Sequence, residues 1–243
     1  MRMINFAKRN FKELIRDPLS LVFEIILPIF LLFIFQQINI PGETYKLENF
    51  TPGIVLLGFS FITLFTSTLI AKDRNSSLLV RLGASPMKSS DYILGYILSL
   101  VPIIIIQNIL FFVVAIMLGF NFSVNIINTI LISLVVSILF IALGILIGSL
   151  VSEKSTGGIS SLVVQLVCFT SGMYFSKELI GSVFVIVCEV LPFESCLNII
   201  KGVLNGNLNI ISMRNVIVFS IHATLLLVLA IISFKKKMFS DNK

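Results

Sequence analysis

Long apolar runs alternate along this chain with short polar breaks that hold most of its lysines and arginines. An α-helix rises about 1.5 Å per residue, so roughly 20 apolar residues cross a hydrocarbon core of about 30 Å. Runs of about this length lie near 19–35, 54–71, 92–119 and 126–151, from the polar break at 152–158 to near Phe175, and at 216–234. They predict an all-α polytopic membrane protein with six transmembrane helices. The first run is interrupted by Glu24 and Pro28. The third contains Pro102, which removes a backbone hydrogen bond and should kink it. The fourth contains Gly144-Ile-Leu-Ile-Gly148, and two glycines four apart let another helix come close, either inside one bundle or across a dimer seam.

Residues 1–18, MRMINFAKRNFKELIRDP, show helical rather than membrane-spanning periodicity. At 100° per residue Ile4, Ala7, Phe11, Leu14 and Ile15 fall within an arc of about 100°, with Arg2, Lys8, Arg9, Lys12 and Arg16 opposite. This pattern predicts an amphipathic helix lying in the plane of the inner leaflet, its cations toward lipid phosphates or a cytosolic partner. A secretory leader does not fit, because no A-x-A-like site follows the next apolar run. Residues 19–243 then form one six-span domain.

Two polar segments complete the layout. The loop 72–91, KDRNSSLLVRLGASPMKSSD, carries Lys72, Arg74, Arg81 and Lys88 against Asp73 and Asp91. Short loops rich in Lys and Arg stay on the inner side of a membrane, and the Ser77–Leu82 stretch suits a short interfacial helix that a soluble partner can grip. The segment 176–214 holds an apolar piece, 179–191, that contains Glu189 and stops at Pro192, then a second short piece, 195–204. Pieces that short are re-entrant or interfacial, so an outer re-entrant hairpin is expected before the last span. Glu189 and Glu194 flank Pro192 there, either solvated or shaping an exit.

Charge distribution tests the topology. Of the 18 Lys and Arg, fourteen fall on segments that six spans place inside, and the outer segments receive Lys46, Lys177, Lys201 and Arg214. Both termini are then cytoplasmic and the protein sits in the cytoplasmic membrane. Counting 179–191 as a full crossing would put Lys235, Lys236 and Lys237 outside.

Composition agrees: 57% of residues are hydrophobic and 12% charged, and the mean hydropathy is +1.06. The net charge of +6 does not mark a nucleic-acid binder, because the cations stand at span ends instead of on a soluble domain. Cys168, Cys188 and Cys196 have no metal-ligand spacing. Cys188 and Cys196 have a possible pairing on the outer face, but buried free thiols are the expected state.

The sequence lacks G-x-x-x-x-G-K-[ST] and G-x-G-x-x-G, and no segment outside the bilayer is large enough to hold a nucleotide. The chain is therefore not expected to hydrolyse ATP, to bind a cofactor or metal, or to act as an enzyme. His222, on an apolar run, suits a hydrogen-bonded packing role. Glu24 lies near enough to the inner surface to pair with a cation of the first helix, and as an intramembrane carboxylate it is also a path candidate.

Six spans, an in-plane amphipathic start, a basic second loop and an outer hairpin together make the chain resemble the type-2 ABC exporter permeases over nearly its whole length. That family's central loop reads like E-R-x-x-G-T-L-x-x-L, then S-P, then an acidic residue and Gly-Lys. Here Asp73-Arg74-Asn75-Ser76-Ser77-Leu78 precedes Arg81-Leu82, then Ser85-Pro86, Asp91 and Gly95-Tyr96. Asp73 replaces Glu, Ser76 or its neighbour replaces Gly, and Tyr96 replaces Lys. Ser171-Gly172-Met173-Tyr174-Phe175 is similar to S-G-x-x-F-P, and Leu191-Pro192-Phe193 with Ile200-Lys201-Gly202 to the family's outer L-P and basic-aliphatic-Gly stretch.

The resemblance implies two copies of an ATP-binding subunit, which carry ATP and Mg. They would dock on Asp73, Arg74, Leu78, Arg81, Gly83, Ala84, Ser85 and Pro86, with Lys8, Arg9, Lys12 and Arg16 alongside. It also implies a second permease copy, or a related chain, completing the path, with membrane lipids around it and no nucleic acid. The apolar spans would suit a hydrophobic or amphipathic cargo such as an antimicrobial peptide, drug or lipid-like compound. An ion-gradient-driven transporter or channel is the alternative.

Overall fold

The computed structural model describes residues 2–38, 42–76, 89–175 and 181–240, and every regular element among them is helical. Helix α1 (Arg2–Ile15) stops just before an Asp-Pro corner. Asp17 is extended (φ −92°, ψ 97°), and its carboxylate accepts from the Leu19 and Ser20 amides and, at 2.6 Å, from the Ser20 hydroxyl. An acidic N-cap followed by proline is a strong helix start, and it turns the chain into α2 (Pro18–Leu21). The same span continues through a π-helical turn, Val22–Ile26, into α3 (Leu27–Gln37). Pro28 explains the widened turn. Its ring collides with the carbonyl four residues back, at Glu24, and it has no N–H to donate there. The Leu27 amide reaches five residues back, to the Val22 carbonyl.

Helix α4 (Leu47–Asn75) is the axis of the bundle, buried residue after residue from Phe50 to Ile62. Around it stand α5 (Ser89–Met117), which runs on through Pro102, α6 (Asn125–Leu150) and α7 (Glu153–Thr170). The glycine pair of α6 faces α4. A Cβ on Gly144 would sit 2.7 Å from the Thr66 Cβ, and one on Gly148 2.6 Å from the Ser67 carbonyl. Gly144 and Gly148 thus serve helix packing within the chain. At this contact the Thr63 hydroxyl donates to the Phe140 carbonyl at 2.8 Å, and Ser67 and Ser160 join α4 to α7 at 2.6 Å.

The Leu47 end is closed by rings. Phe35, Tyr45, Phe50 and Tyr174 cluster with centroids 4.9–6.4 Å apart, and the Tyr45 hydroxyl donates to the Tyr174 carbonyl at 2.6 Å. The Ser171–Phe175 motif is therefore a strut between the end of α7 and the turn at Glu43–Tyr45. Beyond it, α8 (Ser182–Val190) and α9 (Pro192–Leu204) meet at 69°, with Pro192 opening α9 and Leu191 extended between them. The last helix is α10 (Met213–Ser240).

Among the described residues five helical stretches are long and apolar enough to cross a membrane: Pro18–Gln37, Leu47–Asn75, Ser90–Met117, Asn125–Leu150 and Met213–Lys237. The bent pair makes a sixth if taken as one. The fifth run read from sequence fares differently. Its helix, α7, ends at Thr170, and Glu153, Lys154, Ser155, Thr156 and two glycines occupy its first turns, which lowers its hydropathy below that of the others.

The covered face of α1 is also rotated from the one its apolar periodicity selects. Ala7 and Leu14 are buried as expected, joined by Phe6 and Asn10, while Ile4 and Ile15 stay 50% and 44% exposed. The reason lies in α5. Gly95 has no side chain, and the Phe6 ring fills the space, 2.5 Å from where a Cβ would stand. Tyr92 and Tyr96 meet that ring edge-on at 5.5 and 5.0 Å.

Candidate functional site

The last turn of α4 is where the polar residues of the sequence converge. Four consecutive side chains, Lys72 to Asn75, each reach a different part of the bundle. Lys72 Nζ lies 2.9 Å from Glu13 on α1. Asp73, fully buried, has Arg9 Nη1 of α1 at 2.8 Å from Oδ1 and 2.9 Å from Oδ2, and its Oδ2 also accepts from the Tyr96 hydroxyl of α5 at 2.7 Å. Arg74 donates to the Gly148 carbonyl at 2.8 Å and to that of Ser149, with Val151 at 3.4 Å. Asn75 donates to Glu153 at the start of α7.

Each contact has a local cause. A helix presents its last turn in all directions, so four successive residues cover a full circle. The final carbonyls of α6 have no amide partner inside their own helix, and a guanidinium is a good cap for them. Asp73 in a low-dielectric setting needs a cation, and Arg9 supplies it. Arg9 is further held by Glu13 and donates to Asn10 Oδ1 at 2.8 Å. The result is a line of alternating charge, Lys72–Glu13–Arg9–Asp73, ending on Tyr96.

Beside this line, between α1, the Asp-Pro corner and α4, lies a cavity of about 1030 Å³. Of the first-helix cations expected to meet a partner, Arg9 is turned inward to Asp73, and Lys8, Lys12 and Arg16 line this cavity. Leu78, Arg81, Gly83, Ala84, Ser85 and Pro86 lie outside the described residues.

The remaining candidates are scattered. Glu24 is 2% exposed on the π-turn, and its Oε1 has no hydrogen-bond partner among the described residues, so the pairing with a cation of α1 does not form. Glu189 forms an ion pair with Arg214 at 2.9 Å, between α8 and α10, and Pro192 is buried at the bend, with Glu194 in the first turn of α9. Cys168, Cys188 and Cys196 are buried, and none of the three is in a disulfide. His222 Nδ1 lies 2.9 Å from the Val218 carbonyl one turn back, as its packing role requires. No group of three or more His, Cys, Asp or Glu among the described residues is placed to hold a metal.

Sequence reasoning missed Glu13, Tyr96, Asn75 and Glu153 as members of this junction. Glu13 was detectable four residues after Arg9, a spacing that pairs charges on a helix. The others meet only through packing. No curated protein matches the chain. The family model of the ABC-2 type transporter matches residues 3–205, from α1 to the end of α9. With its membrane-length helices and the junction at the end of α4, this chain belongs to the ABC-2 type transporter family and is a membrane permease.

Proposed function

We propose that this permease is the transmembrane half of an ATP-driven exporter and is worked by a separate ATP-binding subunit that docks on the loop after Asn75. The observation that carries this reading is the four-way anchoring of Lys72–Asn75. A push on that loop reaches α1, α5, α6 and α7 through one helical turn. Linkage between distant sites requires such a rigid element, biased between two arrangements. In this reading Arg81 and residues 83–86 meet the partner, while Asp73 and Arg74 transmit its movement inside the chain. The loop and both termini face the cytoplasm, ATP and Mg stay on the partner, and this chain has no hydrolytic role of its own. Two ATP-binding subunits and two permeases form the working unit, and a hydrophobic or amphipathic compound is its cargo.

The test is co-purification from membranes with the chain tagged, together with ATP-dependent transport. A nucleotide-binding subunit is expected to accompany the wild type and to be lost from Arg81→Glu, while Asp73→Asn keeps the partner but loses transport. Failure to recover such a subunit under any mild detergent, with transport indifferent to ATP depletion, would sink the reading. Glu24 favours a second reading, because a buried carboxylate on a π-turn is the kind of group an ion-driven carrier uses. Transport that collapses with the proton gradient and in Glu24→Gln, yet survives ATP depletion, would select it.

A further inference from the structure

The cavity between α1 and α4 has two chemistries along its length. Its rim carries Lys8, Lys12 and Arg16, spaced four apart on one stripe of α1, and none of the three makes an ion pair among the described residues. The other charges in the lining are already matched. Glu13 holds both Arg9 and Lys72, and Asp17 is occupied as the N-cap of α2. The wall is formed by Leu64, Phe65 and Leu69, from the charge-free part of α4. From Lys72 to Leu64 is two turns and more, about 12 Å at 1.5 Å per residue.

An occupant must therefore be anionic at one end and apolar at the other. A free phosphate would satisfy the three cations and leave the Leu64–Phe65–Leu69 wall facing water. A neutral apolar molecule would cover that wall and desolvate three unpaired cations, which is costly. The placement of the cavity meets the same demand. Its wall belongs to a run that must lie in hydrocarbon and its rim to a helix that must lie at the headgroups.

We propose that this cavity holds an acidic phospholipid, its phosphate on Lys8, Lys12 and Arg16 and its glycerol and first acyl carbons against Leu64, Phe65 and Leu69. The lipid bridges α1 and α4 beside the Arg9–Asp73 contact, so the membrane's anionic content sets how firmly α1 is held. The inference is independent of whether an ATP-binding subunit drives the chain, and its test uses the permease alone.

The experiment is native mass spectrometry of the full chain in detergent, titrated with phosphatidylglycerol, with phosphatidylcholine, and with phosphatidylglycerol plus millimolar inorganic phosphate. One phosphatidylglycerol is expected to remain bound, much more tightly than phosphatidylcholine, and phosphate is expected not to displace it. Replacing Lys8, Lys12 and Arg16 together with Gln should weaken phosphatidylglycerol by about a hundredfold, on the order of fivefold per cation. Thr68→Phe, which fills the cavity without touching a charge, should weaken it as well. If the triple variant does not fold, Thr68→Phe at wild-type melting temperature decides alone. Equal retention of the two lipids, unchanged binding in the folded variants, or displacement by phosphate would each overturn the proposal, the last by marking a site for a free anion.

Discussion

Arg9 and Asp73, 64 residues apart in sequence, meet through a single guanidinium nitrogen 2.8 and 2.9 Å from the two carboxylate oxygens. Asp73 is fully buried, while the Arg9 side chain keeps 38% of its exposure. The contact fastens an amphipathic helix that has little core of its own to the central helix of the bundle, at the point where α4 hands over to its polar loop.

Removing one partner leaves the other unmatched. Arg9→Ala is expected to lower stability by about 2–3 kcal/mol, below the range for a fully buried pair because water reaches the arginine. The double variant Arg9→Met with Asp73→Leu should be milder than either single change, since it leaves no orphan charge. Melting temperatures of the four proteins in one detergent check this. A double variant as damaged as the sum of the singles would remove the coupling.

Tyr96→Phe keeps the ring that packs on Phe6 and deletes only the hydroxyl donated to Asp73. A hydrogen bond to a charged group contributes about 1.5–3 kcal/mol, so the melting temperature should fall by several degrees with helicity unchanged. The family pattern places Lys where Tyr96 stands and Glu where Asp73 stands. Restoring both, as Asp73→Glu with Tyr96→Lys, should recover stability better than Asp73→Glu alone. Equal melting of those two proteins would sever the link between the positions.

The glycines divide sharply by neighbourhood. A side chain at Gly148 would meet the Ser67 carbonyl and Ile70, in the turn whose carbonyls Arg74 caps, whereas one at Gly157 would meet nothing within 4 Å. Gly148→Val should push α6 off α4 and abolish transport. Gly157→Ala, in a helix interior, should stabilise by up to about 1 kcal/mol. Expression, melting temperature and transport of the two variants settle the contrast, and a tolerated Gly148→Val would contradict the packing.

All three thiols are buried, and none is in a disulfide. Reductant should leave the melting temperature unchanged, and a maleimide should label the native protein slowly and the denatured protein fully. Cys188→Ser with Cys196→Ser should fold without loss of an oxidised cross-link. A reductant-sensitive melting curve would show that 188 and 196 are joined.

What the sequence by itself determined is whatever depends on a local sum. Span position is the total hydropathy of about 20 neighbouring residues, so the charge-free runs around α4, α5, α6 and α10 were legible without tertiary information. The break at Pro192 and the glycine pair at Gly144 and Gly148 were legible for a related reason, because each acts through backbone chemistry carried by the residue itself. Tertiary structure alone decided which single polar groups meet. Arg9 belongs to the charged stripe of α1, and only the close seat of Phe6 on Gly95 rotates the helix enough to bring that arginine onto Asp73. Glu24 Oε1 is left without a hydrogen-bond partner among the described residues, and Arg74 is drawn to α6 because carbonyls there lack partners. These pairings are set by the relative placement of helices to within an ångström or two, a property no window of sequence contains.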